Sequence, residues 1–228
     1  MLRVILKNDK IKVRKVSVQQ WLQNLYGHSA QLDILAEDEH GTQFNVEIQR
    51  SDEGASVQRA RFYCGALDMH FLDRGKKYEA LPDAYVIFIT ESDVLKKGRP
   101  LYNIQRSIDE TGEAFGDGSH IVYVNAACQD DTPLGRLMQD FNCNDPAKMH
   151  YKELADRVNY FKTSKEGEID MTDIIEAYAN NKAEEAAHQS NVEIAKNLLA
   201  EGMSEDFIVR TTKLSLEEVR ALAAKQSA

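Results

Sequence analysis

Asp33, Glu47 and Gln49 are the residues whose types and spacing could do chemistry in this chain. From Gln43 to Gln49 the sequence alternates. Phe44, Val46 and Ile48 take one face of a strand, and Gln43, Asn45, Glu47 and Gln49 take the other. Two strand residues span about 7 Å, so Glu47 and Gln49 project side by side. Leu32 to Ala36 reads as a preceding strand, and the polar, glycine-containing stretch Glu37 to Thr42 reads as the turn between them. Asp33 then lies across the hairpin from Glu47. Two carboxylates sharing a site repel unless a proton or a cation sits between them. Hard oxygens without His or Cys suit Mg²⁺ or Mn²⁺ better than Zn²⁺. The carbonyl of Ile48, between Glu47 and Gln49, is a third oxygen. The competing reading is that an acid on the polar face of a strand is simply solvated.

Several elements must position these groups. A helix is expected from about Ser56 to Gly75, with Ser56 as N-cap, Gly75 just past the end, and Val57, Ala60, Cys64, Leu67 and Phe71 as its apolar stripe. Ala84–Thr90 and Ile121–Val124 are short, continuous apolar runs, as strands buried on both faces are. Leu101–Ser107 alternates weakly and reads as an extra strand before a turn spanning Gly112 to Gly118. Helical periodicity follows near 133–141, 147–162 and 169–188. Trp21, Leu22, Leu25 and Tyr26 are expected to pack against the sheet. Strands, a helix, more strands and then helices make an α/β fold with a mixed sheet.

The 228 residues carry 28 Lys and Arg against 37 Asp and Glu, a net charge of −9. That acidity argues against a protein that coats nucleic acid by bulk electrostatics, so any such contact must be local. Arg3, Lys7, Lys10, Lys12, Arg14 and Lys15 stand against Asp9 alone near the N-terminus. This stretch reads as a solvated strand face, with a phosphate-facing patch as the alternative. Three widely spaced cysteines argue against a disulfide framework and a zinc site. No stretch has the roughly 18 apolar residues of a membrane span, and no signal peptide is read, so a cytoplasmic location is expected. No Walker loop, GxGxxG, GxSxG or HExxH motif is present.

The last 35 or so residues read as three short helices. Gly202 ends the first, Ser204 caps the second, and Ser215 with Glu218 forms a capping box for the third. The outline resembles a helix-turn-helix, but Glu217 and Glu218 occupy the first turn of the third helix, where groove-reading residues would sit. A packing or dimerisation tail is therefore expected over DNA reading. The domains expected are a core over 1–130, a helical extension over 131–190 and a small helical tail over 191–228.

Leu32-Asp33, the polar turn and Asn45-Val46-Glu47-Ile48-Gln49-Arg50 resemble the active-site hairpin of PD-(D/E)XK nucleases. More narrowly, they resemble the recombination-promoting nuclease (Rpn) and transposase family, in which the Lys of the motif is commonly Gln. Gln58 to Tyr63, Gly75 to Tyr78, Tyr85 to Thr90, Gly118 to Asn125, Leu154 to Val158, Gly202 to Ser204 and Leu214 to Glu218 extend the likeness over roughly residues 10–225. The resemblance implies a restriction-endonuclease-like fold, Mg²⁺- or Mn²⁺-dependent cleavage of DNA phosphodiester bonds, and a part in transposition or recombination. It implies that Asp33 and Glu47 hold the metal, to which the Ile48 carbonyl could add an oxygen, and that Gln49 stands at the usual Lys position. A Gln there can orient water but stabilises charge less than Lys does. Arg50, Arg59 and Arg61 flank the site, either holding phosphates or as plain helix-surface charge. Relatives usually begin with a longer helical region containing an Asp that contributes to the site, whereas this chain starts just before its first strand; Arg often stands where Gln31 is. The alternative is thus a catalytically impaired, truncated relative that binds DNA or protein. A homo-oligomer, or pairing with a full-length family member, is the expected assembly.

Overall fold

The computed structural model describes residues 1–22, 30–49, 52–164, 183 and 186–226. Its centre is a six-stranded mixed sheet in the order β1-β2-β3-β4-β6-β5. The strands are β1 (Val13–Leu22), β2 (Ala30–Asp38), β3 (Gln43–Gln49), β4 (Ala84–Thr90), β5 (Leu101–Ile104) and β6 (Ser119–Asn125). The first three are antiparallel neighbours, β3, β4 and β6 run parallel, and β5 is antiparallel to β6.

Parallel neighbours cannot be joined by a hairpin, so the chain between β3 and β4 must cross over the sheet. It does so through a 3₁₀ turn, Asp52–Ala55, and helix α2 (Val57–Phe71). Ser56 caps α2 by accepting a hydrogen bond from the Arg59 amide at 3.2 Å. Ala60, Tyr63, Cys64 and Leu67 of α2 pack with Ala84, Val86, Phe88 and Tyr123 on one face of the sheet. The other face is covered by two helices, α1 (Leu2–Leu6) and α3 (Pro133–Phe141). There Leu2, Ile5, Leu137 and Met138 meet Phe44, Val46, Ile87, Val122 and Val124. This three-layer mixed sheet is the expected restriction-endonuclease-like α/β fold.

Several boundaries differ from the sequence reading. Residues 2–6 are helix, with Leu2 and Ile5 buried, instead of a solvated strand face. Helix α2 ends at Phe71, with Leu72 as C-cap, not at Gly75. Val57 of the expected stripe is exposed, and Tyr63 is buried in its place. β5 stops at Ile104, and the helix expected near 147–162 divides into a 3₁₀ turn, Pro146–Lys148, and α4 (Lys152–Thr163). The most consequential difference is β3, which is covered on both faces because α2 crosses above its polar side. Asn45 and Glu47 are fully buried, whereas Ile48 is 49% exposed. Leu25, Tyr26 and Arg50 lie outside the described residues, as does most of 169–188.

The chain divides into two units, the second beginning at Tyr160 among the described residues. Its helices α5 (residues 186–200), α6 (Glu205–Thr212) and α7 (Leu216–Gln226) enclose a small core of Ala195, Ile208, Leu214, Val219 and Leu222. The capping box forms: the Ser215 amide donates to Glu218 Oε2 at 2.7 Å, and the Glu218 amide to Ser215 Oγ at 3.2 Å.

Leu67 is the fully buried anchor of α2 on the sheet. Leu67→Ala is expected to cost about 2–5 kcal/mol, read as a lower urea midpoint with an unchanged slope.

Candidate functional site

The β2–β3 ladder runs from Glu37↔Gln43 to Ile34↔Val46 and then ends. The next positions on the two strands are Asp33 and Glu47, and here side chains replace the backbone partners. The Asp33 amide donates to Glu47 Oε1 at 3.2 Å, and the Ile48 amide donates to Asp33 Oδ2 at 3.0 Å. Each carboxylate thus holds the other strand's backbone, and the strands are tied where they would otherwise separate.

Along β3, Gln43 and Gln49 bond on the β4 side, the former to Asp83 and the latter to Glu91, while the Ile48 amide points towards β2. A strand residue's N–H and C=O point to the same side, so the Ile48 carbonyl also faces Asp33. Two carboxylates therefore meet at the end of the ladder, with the Ile48 carbonyl on the same side of β3. Among the described residues no group of three His, Cys, Asp or Glu could hold a metal ion. The donor set is instead two acids plus backbone, all hard oxygen, which fits Mg²⁺ or Mn²⁺. One further observation agrees with that fit: Glu47 Oε2 is buried without a hydrogen-bond partner.

The surroundings set the electrostatics. Glu47 is beside Phe88 in the β3–β4 register, and burial, followed by the negative charge of Asp33, pushes its carboxyl up to about 7. The Asp33 amide, the Asn45 side chain and the Arg59 guanidinium pull the other way. Arg59 Nη2 lies 3.7 Å from Glu47 Oε2, with the Arg59 side chain 38% exposed. Its guanidinium is 5.0 Å from the Tyr63 ring centroid and donates to Tyr63 Oη through Nε at 2.9 Å. Tyr63 Oη in turn donates to the Gln31 carbonyl at 3.3 Å, and its ring stacks on Phe88. Burial and the nearby Glu47 charge raise the Tyr63 hydroxyl to about 12, so it stays protonated.

Among the expected site residues, the structure brings Asp33, Glu47, Ile48 and Arg59 together. Gln49 points to the crossover instead, its Oε1 against Gly54, where any Cβ would collide with it. Arg61 is exposed on α2. Sequence reasoning missed Asn45 and Tyr63. Asn45 is fully buried on the face of Glu47, and its side-chain amide is among the groups that lower the Glu47 carboxyl. Its signal was present, two residues before Glu47 on the same strand face. Tyr63 follows Arg59 by four residues, the spacing of neighbours on a helix.

The family model described as PD-(D/E)XK nuclease family transposase matches residues 1–131, more than half of the chain. A second, described as the C-terminal helix-turn-helix domain of the Rpn/YhgA-like nuclease family, matches residues 188–224. The three helices expected to be a packing tail are therefore a helix-turn-helix domain by likeness. No curated protein and no solved structure matches the chain. No described helix is long and apolar enough to cross a membrane.

The raised Glu47 carboxyl links stability to pH. Between about 4.5 and 7 the folded protein keeps a proton that the unfolded chain has lost. Stability of the metal-free protein therefore falls as pH rises through that window, by an amount on the order of 3 kcal/mol. Glu47→Gln lacks this titration, so thermal melts at pH 5 and pH 8 should show wild type losing stability relative to the variant. Parallel pH dependence in the two proteins would refute the assignment.

Proposed function

Since the chain belongs to the PD-(D/E)XK nuclease transposase family, we propose that it is a metal-dependent DNA endonuclease that hydrolyses phosphodiester bonds in transposition or recombination, and that it acts in the cytoplasm. One observation carries the reading: Asp33 and Glu47 meet where the β2–β3 ladder ends, each carboxylate bonded to a backbone amide of the other strand.

Asp33 and Glu47, with the Ile48 carbonyl, hold Mg²⁺ or Mn²⁺ in this proposal. When bound, such an ion would supply a water of lowered pKa and positive charge against the scissile phosphate. To hold the ion Glu47 would have to be without its proton, which would couple metal binding to deprotonation. Asp33, partly exposed while Glu47 is closed off, is the carboxylate nearer the approach of DNA. Gln49, whose side chain is turned to the crossover, brings no charge to the site. Arg61, exposed on α2, and Arg50 contact phosphates, which fix register without reading sequence. The helix-turn-helix domain provides a second attachment to DNA. The neutral amide of Gln49 favours a second reading, a relative that binds DNA without cutting it.

Nicking of supercoiled plasmid with Mg²⁺ or Mn²⁺ separates the two readings. Asp33→Ala and Glu47→Ala are expected to lower the rate at least about 100-fold. Cutting by the variants at the wild-type rate would remove this site from the reaction. A wild type that binds plasmid but never nicks it would establish the second reading.

A further inference from the structure

We propose that Arg59 is a catalytic residue, supplying from α2 the positive charge that Gln49 does not bring to the strand. The inference rests on the nuclease reading of the Asp33–Glu47 site and assigns Arg59 a task beyond holding phosphate.

Charge arithmetic creates the requirement. Two carboxylates balance a divalent cation, and a phosphoryl group under attack then accumulates negative charge that nothing on β2 or β3 offsets. Asn45, Gln49 and the Ile48 carbonyl are neutral, and Tyr63 keeps its proton. Gln49 is also turned against Gly54. Arg59 carries a full charge beside the site, 3.7 Å from Glu47 Oε2, and a guanidinium does not lose its proton in proteins.

Its position is built, not incidental. The Ser56 cap holds the Arg59 backbone at the start of α2. The guanidinium lies over the Tyr63 ring, with both Nε and Nη2 donating to Tyr63 Oη at 2.9 and 2.5 Å. Tyr63 is fixed by the Gln31 carbonyl and by stacking on Phe88, 6.1 Å between centroids. A charge held in place before the reaction needs little reorganisation as the transition state forms, and that makes it effective. The contact with Glu47 is longer than a hydrogen bond, so it leaves donors of the planar fork for a phosphate oxygen. The side chain is 38% exposed beside a carboxylate that is 0% exposed. Arg59 thus reaches from the closed part of the site to its open part.

The test uses the full chain as wild type, Arg59→Ala, Arg59→Gln, and the double variant Arg59→Ala with Gln49→Lys. Single-turnover cleavage of a labelled duplex is measured with Mg²⁺ and Mn²⁺. Affinity for the same duplex is measured by fluorescence anisotropy with Ca²⁺, and folding by thermal melts. Arg59→Ala should lower the cleavage rate about 100-fold or more. Its Kd with Ca²⁺ should rise less than about 5-fold, since the charge acts mainly in the transition state. Moving a positive charge to position 49 should return at least about 10-fold of the rate. Arg59→Gln keeps a polar side chain of similar reach and takes the place of Arg59→Ala, with the same expected loss, if the alanine variant melts early. Cleavage within about 3-fold of wild type, a loss found wholly in Kd, or no recovery in a folded double variant would overturn the proposal. A wild type inert with both metals brings down the nuclease reading itself, and the proposal with it. That outcome is distinct from an active wild type whose Arg59 variants are equally active.

Discussion

A carboxylate buried at the end of a β-ladder is the constraint around which this molecule is organised. Glu47 has no exposed surface, and leaving an ion in such a place uncompensated costs several kcal/mol. The fold answers in three ways. The Asp33 amide bonds one oxygen, Arg59 faces the other, and burial raises the carboxyl until it carries a proton about half the time near neutrality. None of these satisfies the carboxylate fully, as the unbonded Oε2 records. A group that is costly for the apo protein and well suited to a cation is what a metal-binding nuclease site requires, and structural cores avoid such groups.

The geometry of Arg59 and Glu47 follows from topology. Because β3 and β4 are parallel, the chain leaving β3 just after Glu47 has to rise over the sheet and return. The first turn of α2 therefore lies close to the end of β3, and Arg59 is in that turn. The crossover is pinned at its start by the contact of Gln49 with Gly54 and by the Tyr123 hydroxyl, which donates to the Ala55 carbonyl at 2.9 Å. Below it, Tyr63, Phe88 and Tyr123 stack across α2, β4 and β6. This aromatic row excludes water from Glu47 and supports the ring beneath Arg59, so the same packing raises the carboxyl and orients the cation.

Much of the framework was legible in the sequence, and the exceptions have physical causes. β4, β6 and α3 announce themselves through continuous apolar runs and helical periodicity, and the Ser215–Glu218 capping box forms as its spacing implies. The hairpin carrying Asp33 and Glu47 was readable because alternation and a polar turn are local signals. The burial of Glu47 was not, because period-two alternation describes one strand and is blind to the helix that covers it. Tyr63 was passed over for Val57 because stripe counting weighs hydrophobicity, and a tyrosine with a bonded hydroxyl packs as well as an aliphatic residue. The helix at Leu2–Leu6 was obscured by the run of basic residues beginning at Arg3.

The acidity of the chain bears on how DNA could be held at all. A net charge of −9 opposes a long-range field that gathers a polyanion, so attraction has to come from fixed groups at short range. Arg59 on α2, held against Tyr63, is a fixed positive group of this kind. In the second unit, Glu218, one of the two acids that weighed against groove reading, is taken up by the capping box, and Glu205 pairs with Arg220 at 2.9 Å. Part of the negative charge at the helix starts of α6 and α7 is thereby committed to the fold. Charge alone weighs less against DNA contact once those partners are counted, with Glu217 the acid still standing in the first turn of α7.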